Sequence, residues 1–383
     1  LNKLNLKALI THTFEIDNAV KAYDLVLGKV QEPFVGILLK YPSNNLKNNK
    51  SIAIAMNKND GQKLKVAFIG AGSFAQSYLI PNLKGLPVDL KTVVTNNGIN
   101  AKNVAIKFGF QEASTDADDT LKNKDLSIAF VASRHDSHAK YVEKAIVAGK
   151  HIFVEKPLCL NMEELESINT LMSTNESTLL MVGFNRRFAP ISIELDNIFS
   201  KITEPKVINI RVNAGYIPLD HWTQQSSIGG GRIIGEMCHF IDLMQFFTKS
   251  EPIKVFADCI SSNSQTVKND DNIAIVVRFA DGSIGNLVYV ANGNKSLAKE
   301  RIEVSAGNIS AVINDFKEGI LYKGNKATNL KNVGKGHKEE VTAFINAILN
   351  NSSSPIPFAS IYKTTLTTFK ILDSLKTGLP QDI

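Results

Sequence analysis

The chain has 383 residues, 44% hydrophobic and 21% charged, with a formal net charge of +6. That is the balance of a globular protein with room for two ordinary domains, and it excludes a disordered chain. No apolar run reaches membrane-spanning length and no Lys/Arg cluster is interleaved with aromatics, so neither a membrane nor a nucleic acid is an expected partner, whereas anionic small molecules are.

Taken in chain order, Leu4 to Tyr41 reads as strand, helix, strand, with Val20, Tyr23 and Leu27 on one helix face. A unit this small cannot bury its own core. The chain starts at Leu1 rather than Met, so this piece is expected to be the tail of a larger protein. Pro42 to Gln62, rich in Asn and Lys, reads as a linker apart from the apolar patch Ile52 to Met56. From Lys65 the pattern is βαβ: strands at Val66–Ile69, Leu90–Thr95, Ser127–Ala132, His151–Val154 and Leu179–Val182 alternate with helices. After Arg187, strands follow one another from Val207 to Tyr322, interrupted by one helix over Glu236–Phe247, with Asp281-Gly282 as a hairpin signal. Helices over Lys338–Leu349 and Ile361–Lys376 close the chain. The expected fold is therefore α/β: an N-terminal doubly wound parallel sheet of the Rossmann type, then an α+β domain with a large, mostly antiparallel open sheet. The expected bounds are 1–45 for the first module, 46–62 for the linker, 63–185 for the dinucleotide-binding domain and 186–383 for the substrate domain.

Chemistry is expected where strands end, because ligands of open α/β sheets bind beyond the carboxyl ends of the strands. Glu155 and Lys156 follow the buried strand His151–Val154, a costly place for charges unless something uses them. Upstream, Gly70-Ala71-Gly72-Ser73-Phe74-Ala75 follows a strand and opens a helix, the context of a pyrophosphate-binding loop. Gly70 permits the turn, Gly72 lets the phosphates approach, and Ala75 is small enough for helix–sheet packing. Thr95 and Asn96 end the strand that reads the ribose, and no carboxylate or arginine stands there, so NAD and NADP both remain open. Ser133, Arg134 and His135 end the third strand on the same edge, and His138 follows one turn later; Asp136 between them is a candidate N-cap. His135 and His138 have no evident third metal ligand, and Cys159, Cys238 and Cys259 have no metal or redox spacing, so no metal is expected and a reducing, cytoplasmic setting fits. Past the hinge Gly229-Gly230-Gly231, the residues Glu236, His239 and Asp242 fall on one helical line beside the apolar stripe of Met237, Phe240, Ile241 and Met244, a pattern suited to acid–base work.

These motifs, with Asn185-Arg186-Arg187-Phe188, resemble in order those of the glucose–fructose oxidoreductase / inositol dehydrogenase / rhizopine catabolism (Gfo/Idh/MocA) family from about Lys65 onward. The resemblance implies a nicotinamide cofactor, a lysine at Lys156 touching both nicotinamide and the reacting hydroxyl, a histidine at His239 as proton acceptor or substrate ligand, and homo-oligomers built through the C-terminal sheet. Many members carry Asp four residues before that histidine. Gly235 holds the place here, and Glu236 is the candidate substitute. The stretches Leu9–Phe14, Ala22-Tyr23 and Gly36–Tyr41 resemble the end of a zinc-type alcohol dehydrogenase catalytic domain, without its zinc ligands. The expected activity is hydride transfer between NAD or NADP and a secondary alcohol of a sugar, nucleotide sugar or polyol. Lys156, His239 and Glu236 would be catalytic, and Arg187, Arg232, His239 and Asp242 would bind substrate. The alternatives are a ligand sensor without turnover and an imine or enone reductase, which would not need His239.

Overall fold

A computed structural model describes residues 6–41, 50–54, 63–263, 267–331 and 334–383. It divides into two compact units, Leu1–Asn49 and Lys50–Ile383. In the first unit, strands Ile10–Glu15 and Gly36–Lys40 pair in parallel on either side of the helix Ala19–Val26. Ala22 and Leu25 are buried, but Val20, Tyr23, Val26 and Leu27 are exposed, as expected for a helix with one small sheet to cover it.

In the second unit, seven strands form the first sheet in the order Ser51–Ala53, Glu112–Ser114, Val88–Val94, Leu64–Ile69, Ile128–Val131, His151–Val154, Leu180–Val182. All pairs are parallel except the first. The central strands are buried along their length because helices cover both faces, which is why they read as unbroken apolar runs. Ser51–Ala53 lies in the stretch expected to be linker. It is an edge strand, its Ser51 hydroxyl donating to Ser114 at 2.8 Å. The rest of that expected linker lies outside the described residues, apart from Lys50, Ile54 and the approach to Leu64.

The second sheet has nine strands in the order Lys326–Leu330, Glu318–Lys323, Ile309–Asn314, Glu300–Ala306, Val207–Asn213, Ile284–Val290, Ile273–Phe279, Pro252–Cys259, Gln381–Asp382. Only Val207–Asn213 and Ile284–Val290 run parallel. Strict alternation sends Ile273, Ile275, Val277 and Phe279 inward. Helix Cys238–Thr248 presses on this inner face at Gly285, where a Cβ would meet Met244 Sδ at 2.4 Å. The turn at Asp281-Gly282 forms as expected, with Gly282 at φ +86°. The two edge strands were not legible in the sequence, being short and polar.

The two closing helices, His337–Leu349 and Phe358–Thr377, return to the first sheet. Phe344 meets the rings of Phe130 and Phe153 at 6.2 and 5.8 Å. Among the described residues no helix is long and apolar enough to cross a membrane.

Candidate active site

A cleft of about 1000 Å³ opens beyond the carboxyl ends of the parallel strands. The glycine loop forms one wall. Gly70 has φ +87°, and a Cβ there would lie 2.5 Å from the Ser133 backbone nitrogen, so only glycine fits. A Cβ on Gly72 would meet nothing within 4 Å, because the loop backbone opens directly onto the cleft. Ser73 and Phe74 line it, and Ala75 is packed beneath. The helix that follows is a wide π-type turn over Ala75–Leu79 and a 3₁₀ turn over Ile80–Leu83, where Pro81 denies the chain a regular α-helix. This cradle fits a dinucleotide: the backbone approach is open at Gly72, and the first turn leaves its N–H groups unspent. Thr95 and Asn96 line the same wall, and neither brings a charge there. Asn97 caps the next helix, its Oδ1 accepting from Ile99 and Asn100.

The floor carries the residues that end the third and fourth parallel segments. Ser133 Oγ meets Ser137 Oγ at 2.6 Å. Arg134 lies over the Trp222 ring at 5.6 Å, and His135 meets the same ring edge-on at 4.9 Å. His135 Nδ1 lies 2.8 Å from the Gly229 carbonyl, and burial, then the nearby Lys156 and His138, pushes its pKa down to about 3. The ring therefore stays neutral. The side chain of Lys156 is half-buried in the cleft, and its Nζ donates to the Gly235 carbonyl at 3.1 Å. Glu155 beside it is buried.

The opposite wall comes from the turn at Ile233–Met237. Glu236 accepts from the Tyr289 hydroxyl at 2.6 Å and lies 3.0 Å from Arg232 Nε, which also donates to that hydroxyl at 2.8 Å. Burial pushes the Glu236 carboxyl up, but Arg232, with Lys156, Tyr289 and Lys299, holds it below its ordinary range. Glu236 therefore presents an ionised carboxylate to the cleft. A Cβ on Gly235 would come within 3.1 Å of the Gly229 carbonyl and 3.3 Å of His135 Cε1, so the space for a larger residue is already taken.

Several expected site residues are committed to partners within the protein. Arg187 and Asp242 do not line the cleft. Asp242 is fully buried and takes Arg187 in a bidentate pair, Nε to Oδ2 at 2.8 Å, so both are spent on each other and neither is open to substrate. Arg232 reaches the cleft wall but is committed to Glu236 and Tyr289 rather than to an incoming anion. His138 is fully buried, with Nδ1 2.7 Å from the Pro157 carbonyl and Nε2 3.1 Å from the Ser133 carbonyl. It lines the cleft and, through these two contacts, braces two of the cleft's loops. Asp136 makes no side-chain cap. His239 is buried against Phe184, ring centroids 6.1 Å apart, and its Nδ1 has no partner among the described residues. Burial, then Arg186 and Lys156, holds its pKa well below the ordinary histidine range, which disfavours it as a base. Arg186 grips Glu300 with two bonds of 2.8 Å. Among the described residues, no three His, Cys, Asp or Glu side chains converge as a metal site.

Sequence reasoning missed Trp222 and Tyr289. Trp222 is the chain's only tryptophan and lies in the loop before the glycine hinge, a usable signal. Tyr289 reads as one more inward residue of an alternating strand, and nothing in its spacing points to Glu236.

Comparison with known proteins was consistent with this geometry. Residues 64–184 match the family model GFO_IDH_MocA, described as "Oxidoreductase family, NAD-binding Rossmann fold", and residues 200–308 match the "GFO/IDH/MocA C-terminal domain". The chain is 22% identical over 311 residues to the uncharacterized oxidoreductase YrbE of Bacillus subtilis (strain 168), covering 77% of this chain and 89% of that one. It is 27% identical over 223 residues to myo-inositol 2-dehydrogenase of Thermotoga maritima, covering 54% of this chain and 62% of that protein. Among solved structures, levoglucosan dehydrogenase in complex with NADH and levoglucosan superimposes with a TM-score of 0.75 at 22% identity, over 84% of this chain and all of that one. Through its NAD-binding Rossmann domain and its C-terminal domain, the chain belongs to the Gfo/Idh/MocA oxidoreductase family.

Proposed function

We propose that the protein is an NAD-dependent dehydrogenase of a secondary alcohol on a sugar, nucleotide sugar or polyol. The observation that carries this reading is Lys156, held on the Gly235 carbonyl in the cleft that the glycine loop opens onto. NAD, when bound, supplies the hydride acceptor. Lys156 polarises the reacting hydroxyl and takes up its proton. Glu236, kept ionised by Arg232, accepts hydrogen bonds from neighbouring hydroxyls. Trp222 offers a flat apolar face to the carbon side of a ring. His239, neutral and buried outside the cleft lining, takes no direct part in this reading. The relatives named for inositol and levoglucosan dehydrogenation support a polyhydroxylated substrate. A screen of sugars, nucleotide sugars and polyols with NAD and NADP in parallel tests the reading, and no NADH or NADPH formation with any of them overturns it. The burial of His239 favours a second reading, an imine or enone reductase, so ketimines and enones belong in the same screen with NADH.

Gly72→Val should fold as the parent does, since its Cβ meets nothing within 4 Å. It should bind NAD roughly tenfold or more weakly, because the side chain enters the pyrophosphate path. Calorimetry showing unchanged affinity would place the cofactor elsewhere.

The outer face of the nine-stranded sheet exposes Val207, Phe256, Val276 and Val288, with Phe256 and Val276 directly paired. A second copy of the chain covering this face is the proposed assembly. Sedimentation should show a homo-oligomer, shifted toward monomer in Val276→Glu. The exposed Val20, Tyr23 and Leu27 of the first unit support an alcohol-dehydrogenase-like module as their cover. The 1–49 segment expressed alone should then aggregate.

A further inference from the structure

Two buried carboxyl groups have no part in the site as described. Glu155 ends the strand His151–Val154 and lines the cleft beside Lys156. Glu340 lies in the helix His337–Leu349 and is fully buried. Oε1 of Glu155 and Oε2 of Glu340 are both buried and without a hydrogen-bond partner among the described residues. A Cβ on Gly183 would lie 2.8 Å from Glu155 Oε1, so glycine makes room for that carboxyl. An ionised carboxylate without donors is expensive to bury, and two that feel each other resist ionising together.

The surroundings do little to offset this. Glu155 takes a backbone hydrogen bond from Lys156 that leaves Oε1 unpartnered, and it faces the Lys156 ammonium, itself held by Gly235, and Glu340. Glu340 faces Glu155, Arg186, Asp242 and Glu339, and its Oε1 lies 3.4 Å from His337 Nδ1. Arg186 is committed to Glu300 and Asp242 to Arg187. His337 is kept neutral, its pKa pushed down to about 4 by burial and then by Arg186 and Lys335. Burial accordingly pushes Glu155 up to about 7 and Glu340 well above the carboxylate range. The pair therefore holds at least one proton at neutral pH and is poised to exchange another.

We propose that Glu155, backed by Glu340, is the proton reservoir of the cleft, releasing a proton when the positively charged oxidised nicotinamide binds beside Lys156 and taking one back after hydride transfer has neutralised the ring. The inference rests on the reading of this cleft as a nicotinamide site. The balance closes. Oxidation of the alcohol breaks a C–H and an O–H bond. The hydride goes to the cofactor, and the hydroxyl proton passes by way of Lys156 to the carboxylate that binding had emptied. The net proton of the reaction thus appears in solution when the oxidised cofactor binds, not at the chemical step. By linkage, affinity for NAD⁺ rises with pH until the free pair has lost that proton, while affinity for the neutral reduced ring lacks this rise.

The test is calorimetric titration of the intact chain with NAD⁺ and with NADH near pH 7, in phosphate and in Tris. The dependence of the apparent enthalpy on the buffer's ionisation enthalpy counts the protons released. The expected result is roughly half to one proton for NAD⁺ and near none for NADH, with Glu155→Gln still binding NAD⁺ but releasing close to none. Equal release for the two forms, or unchanged release in Glu155→Gln, overturns the proposal. Should Glu155→Gln fail to fold, infrared difference spectra of the parent protein decide: the protonated-carboxyl C=O band should weaken on adding NAD⁺ and not on adding NADH, and a band unchanged by NAD⁺ overturns the proposal. Absence of binding by either form would overturn the nicotinamide reading and the inference together, whereas binding without proton release overturns the inference alone.

Discussion

Lys156→Ala should lower kcat by about 100- to 10,000-fold while NAD affinity changes by no more than a few-fold. The strand that carries the lysine is anchored by Phe153 and Val154, both fully buried, and Val154 pairs with Val131 and Val182 on its two sides. Removing a side chain at the strand's end leaves that core and the glycine loop intact. What disappears is the amino group held 3.1 Å from the Gly235 carbonyl, which polarises the hydroxyl as an ammonium and takes the hydroxyl proton once its own has passed to a carboxylate. Glu236 is a poor stand-in, because Arg232 and the Tyr289 hydroxyl stabilise its carboxylate and so weaken it as a base. His239 cannot either, because burial keeps its conjugate acid unfavourable. A loss below tenfold, measured at saturating NAD, would remove Lys156 from the proposed mechanism.

Asp242→Ala should cost about 3–5 kcal/mol of stability, the usual penalty for leaving one member of a buried ion pair alone. Asp242 is fully buried, and among the described residues Arg187 has no other carboxylate partner once it is gone. The guanidinium would stay stacked against Phe246 at 5.4 Å, a contact too weak to replace a bidentate carboxylate. Urea unfolding of the variant and the parent measures the difference. The outcome also separates two roles for the same residues. Substrate ligands would change KM and leave the unfolding midpoint almost unmoved, whereas a structural pair does the reverse. For comparison, breaking the exposed Lys144–Asp118 pair at 2.6 Å should change stability by about 0–1 kcal/mol.

The parallel sheet was legible because its strands are buried on both faces and so appear as short apolar runs spaced by helices. The exception was Glu112–Ser114, a three-residue strand with two polar residues that carries no pattern of its own. It is held in place by its neighbour Val88–Val94. The near edge of the site was legible for a similar reason: Gly70, Gly72, Ser133 and Lys156 each stand at the end of a strand, and strand ends share one edge. The far wall was less so. Glu236, His239 and Asp242 do fall on one helical line, but a line says nothing about depth. Glu236 reaches the cleft, while Asp242, one and a half turns on, lies in the core against Arg187, a residue 55 positions earlier in the chain. Pairings across that distance depend on how two elements pack, and local periodicity cannot show them. The Glu236–Arg232 contact, at i and i+4, is within reach of helical spacing, and it takes up an arginine whose charge alone suits an anionic substrate equally well.

The return of the last two helices to the first sheet has a consequence for biosynthesis. Phe130 and Phe153 stand in the middle of the parallel sheet, but Phe344, which covers both, leaves the ribosome long after them. Val341, Ile345, Ile361 and Phe369 follow the same schedule. Until they arrive, one side of the nucleotide-binding sheet is an uncovered aromatic surface, open to contact with other chains. A premature stop far downstream of the glycine loop would therefore be felt first as a loss of that loop's supporting core.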